Sequence, residues 1–202
     1  MTVQDILDLV RFKFANVALA ENNDAIIKII YLGVSELYRK FNLSIKSETI
    51  RVTPDLSLYE LRNKDVALFL SLYDRTGKEL KQSDVINSVE WDYKIINYRS
   101  FILHKPENGL LYALYKASPI VLKDSKDEID IPDAMIDALL CYIGYMIHST
   151  VTSYTSINGR SGTSESDLYY QKFLTLCNDL EMQGFKIPLN SESLSVIVKG
   201  YI

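Results

Sequence analysis

The stretch from Ile129 to His148, IDIPDAMIDALLCYIGYMIH, constrains the fold more than any other part of the chain. Apolar side chains recur there at helical spacing, and Pro132 and Asp133 are typical of a helix start. The pattern therefore predicts a helix that other elements cover on several sides. Polar interruptions argue against a membrane span. The first apolar stripe is Ile136, Leu139, Leu140, Ile143 and Ile147, and the second is Met135, Tyr142, Tyr145 and Met146.

Two further helices are predicted at the N-terminus. Thr2 and Asp5 form a capping signal, and the apolar spacing that follows favours a helix over about residues 3–16. Asn22 to Asp24 offer caps for a second helix, whose apolar stripe runs from Ile26 to Phe41. The short link between the two helices predicts an antiparallel pair.

From Ser44 onward the apolar period changes from helical to alternating. Residues 49–53 and 66–73 read as strands, and a turn cluster follows at 74–77. Two apolar runs, 101–103 and 110–115, are joined through Pro106 to Gly109 and predict a β-hairpin. Residues 44–122 are therefore expected to form an inserted antiparallel β-domain.

The C-terminal part is predicted to return to helix and then to extend. A charged loop, 122–130, leads into the Ile129–His148 helix, and the Ser, Thr and Gly rich segment 150–166 reads as a flexible loop. Ser164 and Asp167 form a second capping box for a fourth helix ending at Gly184. The predicted class is α+β: a four-helix layer from segments 1–43 and 123–184, the β-domain 44–122, and an extended C-terminal arm, 185–202.

The arm carries an alternating apolar pattern typical of a strand. At a free end such a strand exposes unpaired backbone, so it is expected to pair within the molecule or to be donated to a neighbour. Donation is the preferred interpretation, which makes the apolar residues of the arm candidate subunit-interface residues. They are Phe185, Ile187, Leu189, Leu194, Val196, Val198 and Tyr201.

Composition narrows the class of protein. The 202 residues carry a net charge of −4, which disfavours an evenly basic DNA-binding surface. Cys141 and Cys177 both lie in apolar helical patterns, so they are predicted to approach each other as reduced thiols in a reducing compartment. The N-terminus shows no basic region followed by an apolar run, so no secretion signal is expected, and the chain is expected to assemble in the cytoplasm.

The motifs of catalysis and ligand binding are weak, and no catalytic, cofactor or metal residue is predicted. His104 and His148 lack metal-ligand spacing and favour interface or helix-end positions. The segment GRSGTS, 159–164, lacks the lysine of a phosphate loop. Two alternatives stay open. One is a metal-dependent hydrolase using the acidic residues between Asp124 and Asp137, and the other is a nucleic-acid-binding module using Trp91, Tyr93 and Tyr98.

The order of elements resembles a known family. The segments TVQDILDLVRFKFA, IIYLGVSELYRKF, FILHKPENGLLYALY and IDIPDAMIDALLCYIGYMIH, followed by a loop, a helix and a tail, are similar to the head-to-tail adaptor, or tail tubular, proteins of short-tailed bacteriophages. Residues 74–87 and the tail after Gly184 lie outside this likeness.

The resemblance implies a non-enzymatic component of the virion at the head–tail junction, without a cofactor. It implies a ring of about twelve copies that docks below the portal and meets a tail tube or nozzle protein. The ring would continue the channel through which genomic DNA passes during ejection, without sequence recognition and without a membrane.

Overall fold

The computed structural model describes residues 1–15, 17–83, 92–155 and 164–185. Within these ranges the chain forms four α-helices and seven β-strands, which confirms the predicted α+β class. The described residues of Met1–Leu43 and Pro119–Ile187 form one compact unit, and those of Ser44–Ser118 form a second. They are called the helical unit and the β unit.

The helical unit surrounds one apolar core. Its helices are α1 (Val3–Lys13), α2 (Asn23–Lys40), α3 (Ile136–Thr155) and α4 (Glu165–Met182), with short 3-10 turns at Ala18–Glu21 and Asp133–Met135. Most of the first α3 stripe is buried and packs with the apolar faces of α1, α2 and α4. The second stripe is half-buried at Tyr142, Tyr145 and Met146. Within the described residues, no helix combines the length and apolarity that crossing a bilayer needs.

The predicted starts of α1 and α4 are confirmed by their side-chain caps. The Thr2 hydroxyl accepts the Asp5 N–H while the Asp5 carboxylate accepts the Thr2 N–H, and Ser164 and Asp167 repeat this arrangement at α4. Such reciprocal caps satisfy backbone donors that have no partner within the helix. The α1 helix ends at Lys13 rather than near residue 16, because Phe14 leaves helical geometry at φ −121° and ψ 33°.

Two predicted boundaries of the central helix are wrong. Pro132 precedes the 3-10 turn, so α3 itself begins at Ile136. The helix also continues through Thr155, into the segment that was predicted to be a loop. Extending an existing helix adds one hydrogen bond per residue fixed, so a Ser and Thr rich segment can stay helical without an apolar stripe of its own.

The charged loop 122–130 anchors the N-terminus. The N–H of Val3 donates to the carbonyl of Asp127 at 2.9 Å, and the N–H of Ile129 donates to that of Met1 at 2.8 Å. The Asp127 carboxylate accepts the backbone N–H groups of Lys123 and Asp124, which lowers its pKa below the ordinary value. The Asp127 carboxylate therefore has structural partners within its own loop.

The β unit contains two sheets. The first has the strand order β1–β7–β3 and the second β2–β6–β5–β4; all pairs are antiparallel except the short parallel pair β4–β5. The strands are β1 (Ile45–Val52), β2 (Leu58–Glu60), β3 (Val66–Asp74), β4 (Lys81–Gln82), β5 (Asp92–Ile95), β6 (Ser100–Leu103) and β7 (Gly109–Ala117).

The two sheets share an aromatic core. Phe69 of the first sheet lies 5.4 Å from the ring of Phe101 and 5.9 Å from that of Tyr93, both in the second. Burial raises the pKa of Tyr93 to about 12. Alternate residues of strands from both sheets therefore point into one apolar layer, as in a small sandwich.

The predicted hairpin is wrong, because β6 and β7 belong to different sheets. Strand β6 pairs with β2 and β5, whereas β7 pairs with β1 and β3. Both strands are central, so each already has a hydrogen-bonded neighbour on both sides. The segment Pro106 to Gly109 therefore crosses between sheets, and Lys105 before it adopts a left-handed conformation at φ 52°.

Cys141 and Cys177 are free thiols that lie buried in the helical core. Burial raises the pKa of both thiols above the ordinary value, that of Cys177 to about 11, and Cys141 contributes to the shift at Cys177. The raised pKa means that the folded state favours the protonated thiol. For Cys177, the resulting contribution to the stability of the folded state is present in full below the ordinary pKa and is lost as pH rises toward about 11.

We therefore expect both thiols of the native protein to resist alkylation by iodoacetamide at about pH 8, since the thiolate is the reactive species. The same protein unfolded in guanidinium should react fully. Mass spectrometry measures the extent of alkylation in the native and in the unfolded protein. Equal alkylation rates in native and unfolded protein would contradict the buried, protonated state.

Candidate protein-interaction site

A row of tyrosine rings lies partly exposed on α3 and α4. Tyr142 and Tyr145 stand one turn apart on α3, with ring centroids 5.9 Å apart, and Tyr170 of α4 lies 4.9 Å from Tyr145. Beneath them Phe173 is fully buried, 5.3 Å from Tyr142. Tyr170 is 38% exposed. These three tyrosines form one continuous patch, called the tyrosine surface.

Charged groups of α2 border the tyrosine surface. Arg39 Nε donates to Glu36 at 2.8 Å, and the Arg39 side chain is 72% exposed. Burial, followed by the charge of Glu36, raises the pKa of Tyr142, so its phenol stays neutral and its hydroxyl can donate a hydrogen bond. Tyrosine and arginine are the residue types enriched in the energetic centres of protein interfaces.

A cleft of about 770 Å³ opens elsewhere in the helical unit, where the end of α1 faces the first turns of α4. Its lining combines apolar side chains with two lysines, one histidine and one glutamate. We call it the α1–α4 cleft. It is lined by Lys13, Phe14, Ala15, Val17, Leu19, His148, Glu165, Leu168, Tyr169 and Lys172.

His148 builds one wall of this cleft. Its Nδ1 lies 2.9 Å from a carboxylate oxygen of Glu165, and its ring stacks on Tyr169 with 5.3 Å between centroids and 7° between planes. Phe14 contacts the Tyr169 ring edge-on at 5.5 Å. Because α3 continues past His148, the residue lies within a helix rather than at its end. His148 therefore connects α3 to α4 through its contacts with Glu165 and Tyr169, and its ring also contacts Phe14 at the end of α1.

Gly144 permits this aromatic packing. A Cβ atom at that position would lie 2.7 Å from Tyr169 Cδ1 and 2.9 Å from Phe14 Cζ, closer than carbon atoms approach without displacement. The absence of a side chain therefore lets two rings rest directly on the backbone of α3. Lys172 extends over the outer side of the same cluster, with Nζ 5.6 Å from the centroid of Tyr169.

The candidate interface residues of the arm fall mostly outside the described part of the chain. Phe185 is half-buried against the helical core, and its N–H donates to the carbonyl of Leu180 at 3.1 Å. Gly184 before it has φ +89°, the left-handed geometry of a helix end, so the predicted stop of α4 is confirmed. The other six residues, Ile187, Leu189, Leu194, Val196, Val198 and Tyr201, lie outside the described ranges.

The residues of the two alternative functions are dispersed. Asp133 and Asp137 are exposed, and Asp127 is engaged in its own turn. His104 lies buried in the β unit. Across the ranges that the structure describes, no three side chains of His, Cys, Asp or Glu group as metal ligands would.

The aromatic residues of the nucleic-acid alternative do not form one exposed platform in the described residues. Tyr93 is buried and Tyr98 is 55% exposed, while Trp91 lies outside the described ranges. Of the segment 159–164, only Ser164 is described, as the cap of α4. The tyrosine surface and the cleft were not found from the sequence. The available signal was the spacing of Tyr142 and Tyr145 together with the pair Tyr169–Tyr170.

Comparisons with known proteins give a remote structural likeness. No protein-family model matches the chain, and no curated protein matches it. Among solved structures, the chain is similar to a chain from the neck of an empty GTA particle computed with C6 symmetry. The two are 11% identical with a TM-score of 0.26, over 85% of this chain and 88% of the other.

Substitution of Gly144 by Ala tests the close packing of the cleft wall. Overpacking costs roughly 1–3 kcal/mol, whereas alanine gains about 1 kcal/mol of helix propensity. We expect a net loss of about 1 kcal/mol in the free energy of unfolding, measured by urea denaturation. The control, Lys28→Ala on the exposed side of α2, should leave stability near that of the wild type. A Gly144→Ala protein as stable as this control would contradict the contacts at Gly144.

Proposed function

We propose that this chain is a structural, non-enzymatic subunit of a head-to-tail adaptor ring in a virion. The ring docks below a portal and continues the DNA channel toward a tail tube or nozzle protein. The proposal starts from the order of helix pair, β-rich insertion, helix pair and tail, which resembles the adaptor proteins of short-tailed bacteriophages. The copy number that this resemblance implies is about twelve.

The observation that carries the proposal is the tyrosine surface. Single exposed apolar residues are ordinary on any soluble protein, but contiguous patches mark sites of association. Tyr142, Tyr145 and Tyr170 are in ring contact with one another or with the buried Phe173, so their positions are set before any partner binds. A rigid aromatic patch loses little side-chain entropy on association. Arg39 adds a mostly exposed guanidinium at its edge.

The charge of the chain suits a channel component. A net charge of −4 opposes tight binding of phosphate groups, because a protein holds DNA through cations that release counterions. DNA can then move past the ring without being gripped. The proposed arm, residues 185–202, supplies a contact to a neighbouring chain.

Disruption of the tyrosine surface should weaken assembly. We expect the double variant Tyr145→Ser and Tyr170→Ser to lose about thirtyfold or more in affinity for the cognate portal ring, the effect of a hot spot worth about 2 kcal/mol. Arg39→Glu, at an exposed position, should weaken docking without disturbing the core. Sedimentation velocity of the adaptor with purified portal rings measures both effects.

The matched control is Tyr98→Ser, which removes an exposed tyrosine of the β unit. It should dock as the wild type does, and circular dichroism establishes that each variant is folded. Wild-type protein that neither forms a ring nor joins a portal ring at any tested concentration would overturn the proposed function. Docking unaffected by all three substitutions would overturn the role of the tyrosine surface.

A second prediction concerns the arm. Because Phe185 packs on the helical core, the informative truncation removes residues 186–202 and keeps Phe185 in place. The truncated chain should keep the far-ultraviolet circular dichroism of its helices but form no stable ring on the portal, as observed by negative-stain imaging. Rings of normal size from this truncated chain would count against a donated arm while leaving the adaptor role intact.

A further inference from the structure

The two ends of α4 carry opposite and complementary chemistry. The N-terminal end borders the α1–α4 cleft, whose lining includes Lys13 and Lys172. The C-terminal end carries Asp179 and Met182, both exposed. A helix of 18 residues is about 27 Å long at a rise of about 1.5 Å per residue, so one end cannot reach the cleft at the other within a single molecule.

The cleft offers apolar walls and positive charge. Phe14, Val17, Leu19 and Leu168 line it, and Leu168 is 50% exposed. The one carboxylate among its lining residues, that of Glu165, lies 2.9 Å from His148 Nδ1. Lys13 and Lys172 are both exposed, and the charge of each lowers the pKa of the Cys141 thiol, against the larger effect of its burial. A ligand of this cleft therefore needs an apolar group with negative charge beside it.

The far end of α4 has those properties. Met182 is 86% exposed, one of the most exposed apolar side chains of the described residues. Asp179 stands one turn before it on the helix, which places both side chains on one face. The last turn of α4 contains no basic residue, and a helix C-terminus carries a partial negative charge. Methionine is flexible and fits irregular apolar clefts.

We propose that the C-terminal end of α4 from a second copy of this chain occupies the α1–α4 cleft. Met182 enters among the apolar side chains, and Asp179 faces Lys13 and Lys172. The contact joins two different surfaces of identical chains, so a pair of copies retains a free cleft on one copy and a free helix end on the other. Such head-to-tail contacts close into a ring when the rotation permits. This inference rests on the proposed ring and names the contact between its subunits.

Charge reversal tests the contact in both directions. The cleft variant is Lys13→Glu with Lys172→Glu, and the end variant is Asp179→Lys. Like charges facing each other oppose the contact, so each variant alone should raise the dissociation constant for self-association at least about tenfold. Lys28→Glu, an exposed reversal on α2 outside the cleft, is the matched control and should associate as the wild type does.

Mixing supplies the decisive result. In an equal mixture, the basic end of one variant meets the acidic cleft of the other, and the unchanged end meets the unchanged cleft, so association should return. Analytical ultracentrifugation measures the self-association of the two variants, of their mixture and of the chain carrying all three substitutions. The chain with all three substitutions should also associate, because its basic end fits its acidic cleft. Wild-type self-association that the single variants leave unchanged, or single variants weakened without rescue on mixing, would overturn the contact.

The inference and the proposed function fail in different ways. A wild-type chain that stays monomeric at all concentrations, yet joins portal rings, would overturn this subunit contact and leave the adaptor role standing. A wild-type chain that neither self-associates nor joins a portal ring would overturn both. Met182→Ser tests the apolar part of the contact separately from the charged part, because it shortens an exposed apolar side chain without changing any charge. Unchanged association of this variant would overturn the place of Met182 in the cleft.

Discussion

The close packing of α3 against its neighbours is the interaction on which the helical unit depends. Two glycines bring backbones and rings unusually near. A Cβ at Gly33 of α2 would lie 2.5 Å from Leu139 Cδ1, and one at Gly144 would meet Phe14 and Tyr169. Interiors packed at crystal-like density respond to the addition of a single methyl group. The position of α3 therefore determines which side chains of α4 remain at the surface.

That packing places three different surfaces on the helical unit: the tyrosine surface, the α1–α4 cleft and the acidic end of α4. Tyr145 and Tyr170 face one side as part of the tyrosine surface, whereas His148 and Tyr169 form the wall of the α1–α4 cleft. The acidic end of α4 lies beyond both. The helical unit thus presents a rigid aromatic patch and a cleft that combines apolar side chains with two lysines. These surfaces offer distinct contacts to partner proteins. This distribution is what the proposed adaptor ring requires, with each subunit touching unlike neighbours.

The β unit follows a different constraint, the pairing of central strands. Strands β6 and β7 are neighbours along the chain, but each has partners on both sides in its own sheet. Phe69, Tyr93 and Phe101 then fill the space between the sheets. Backbone pairing satisfies the polar groups of each sheet, and the aromatic layer buries the apolar faces. The result is a core that belongs to the β unit itself.

Features that depend on neighbouring residues follow from the sequence pattern alone. The capping boxes of Thr2–Asp5 and Ser164–Asp167, the apolar stripe of α3 and the stop at Gly184 follow from local hydrogen bonds and helical period. The pairing of strands depends on long-range contacts, because a turn such as Pro106 to Gly109 is compatible with a hairpin or with a crossing between sheets. The tertiary structure also decided where Tyr145, Tyr170 and His148 meet their partners. Those contacts join residues distant in sequence, and their energies depend on packing that no local pattern encodes.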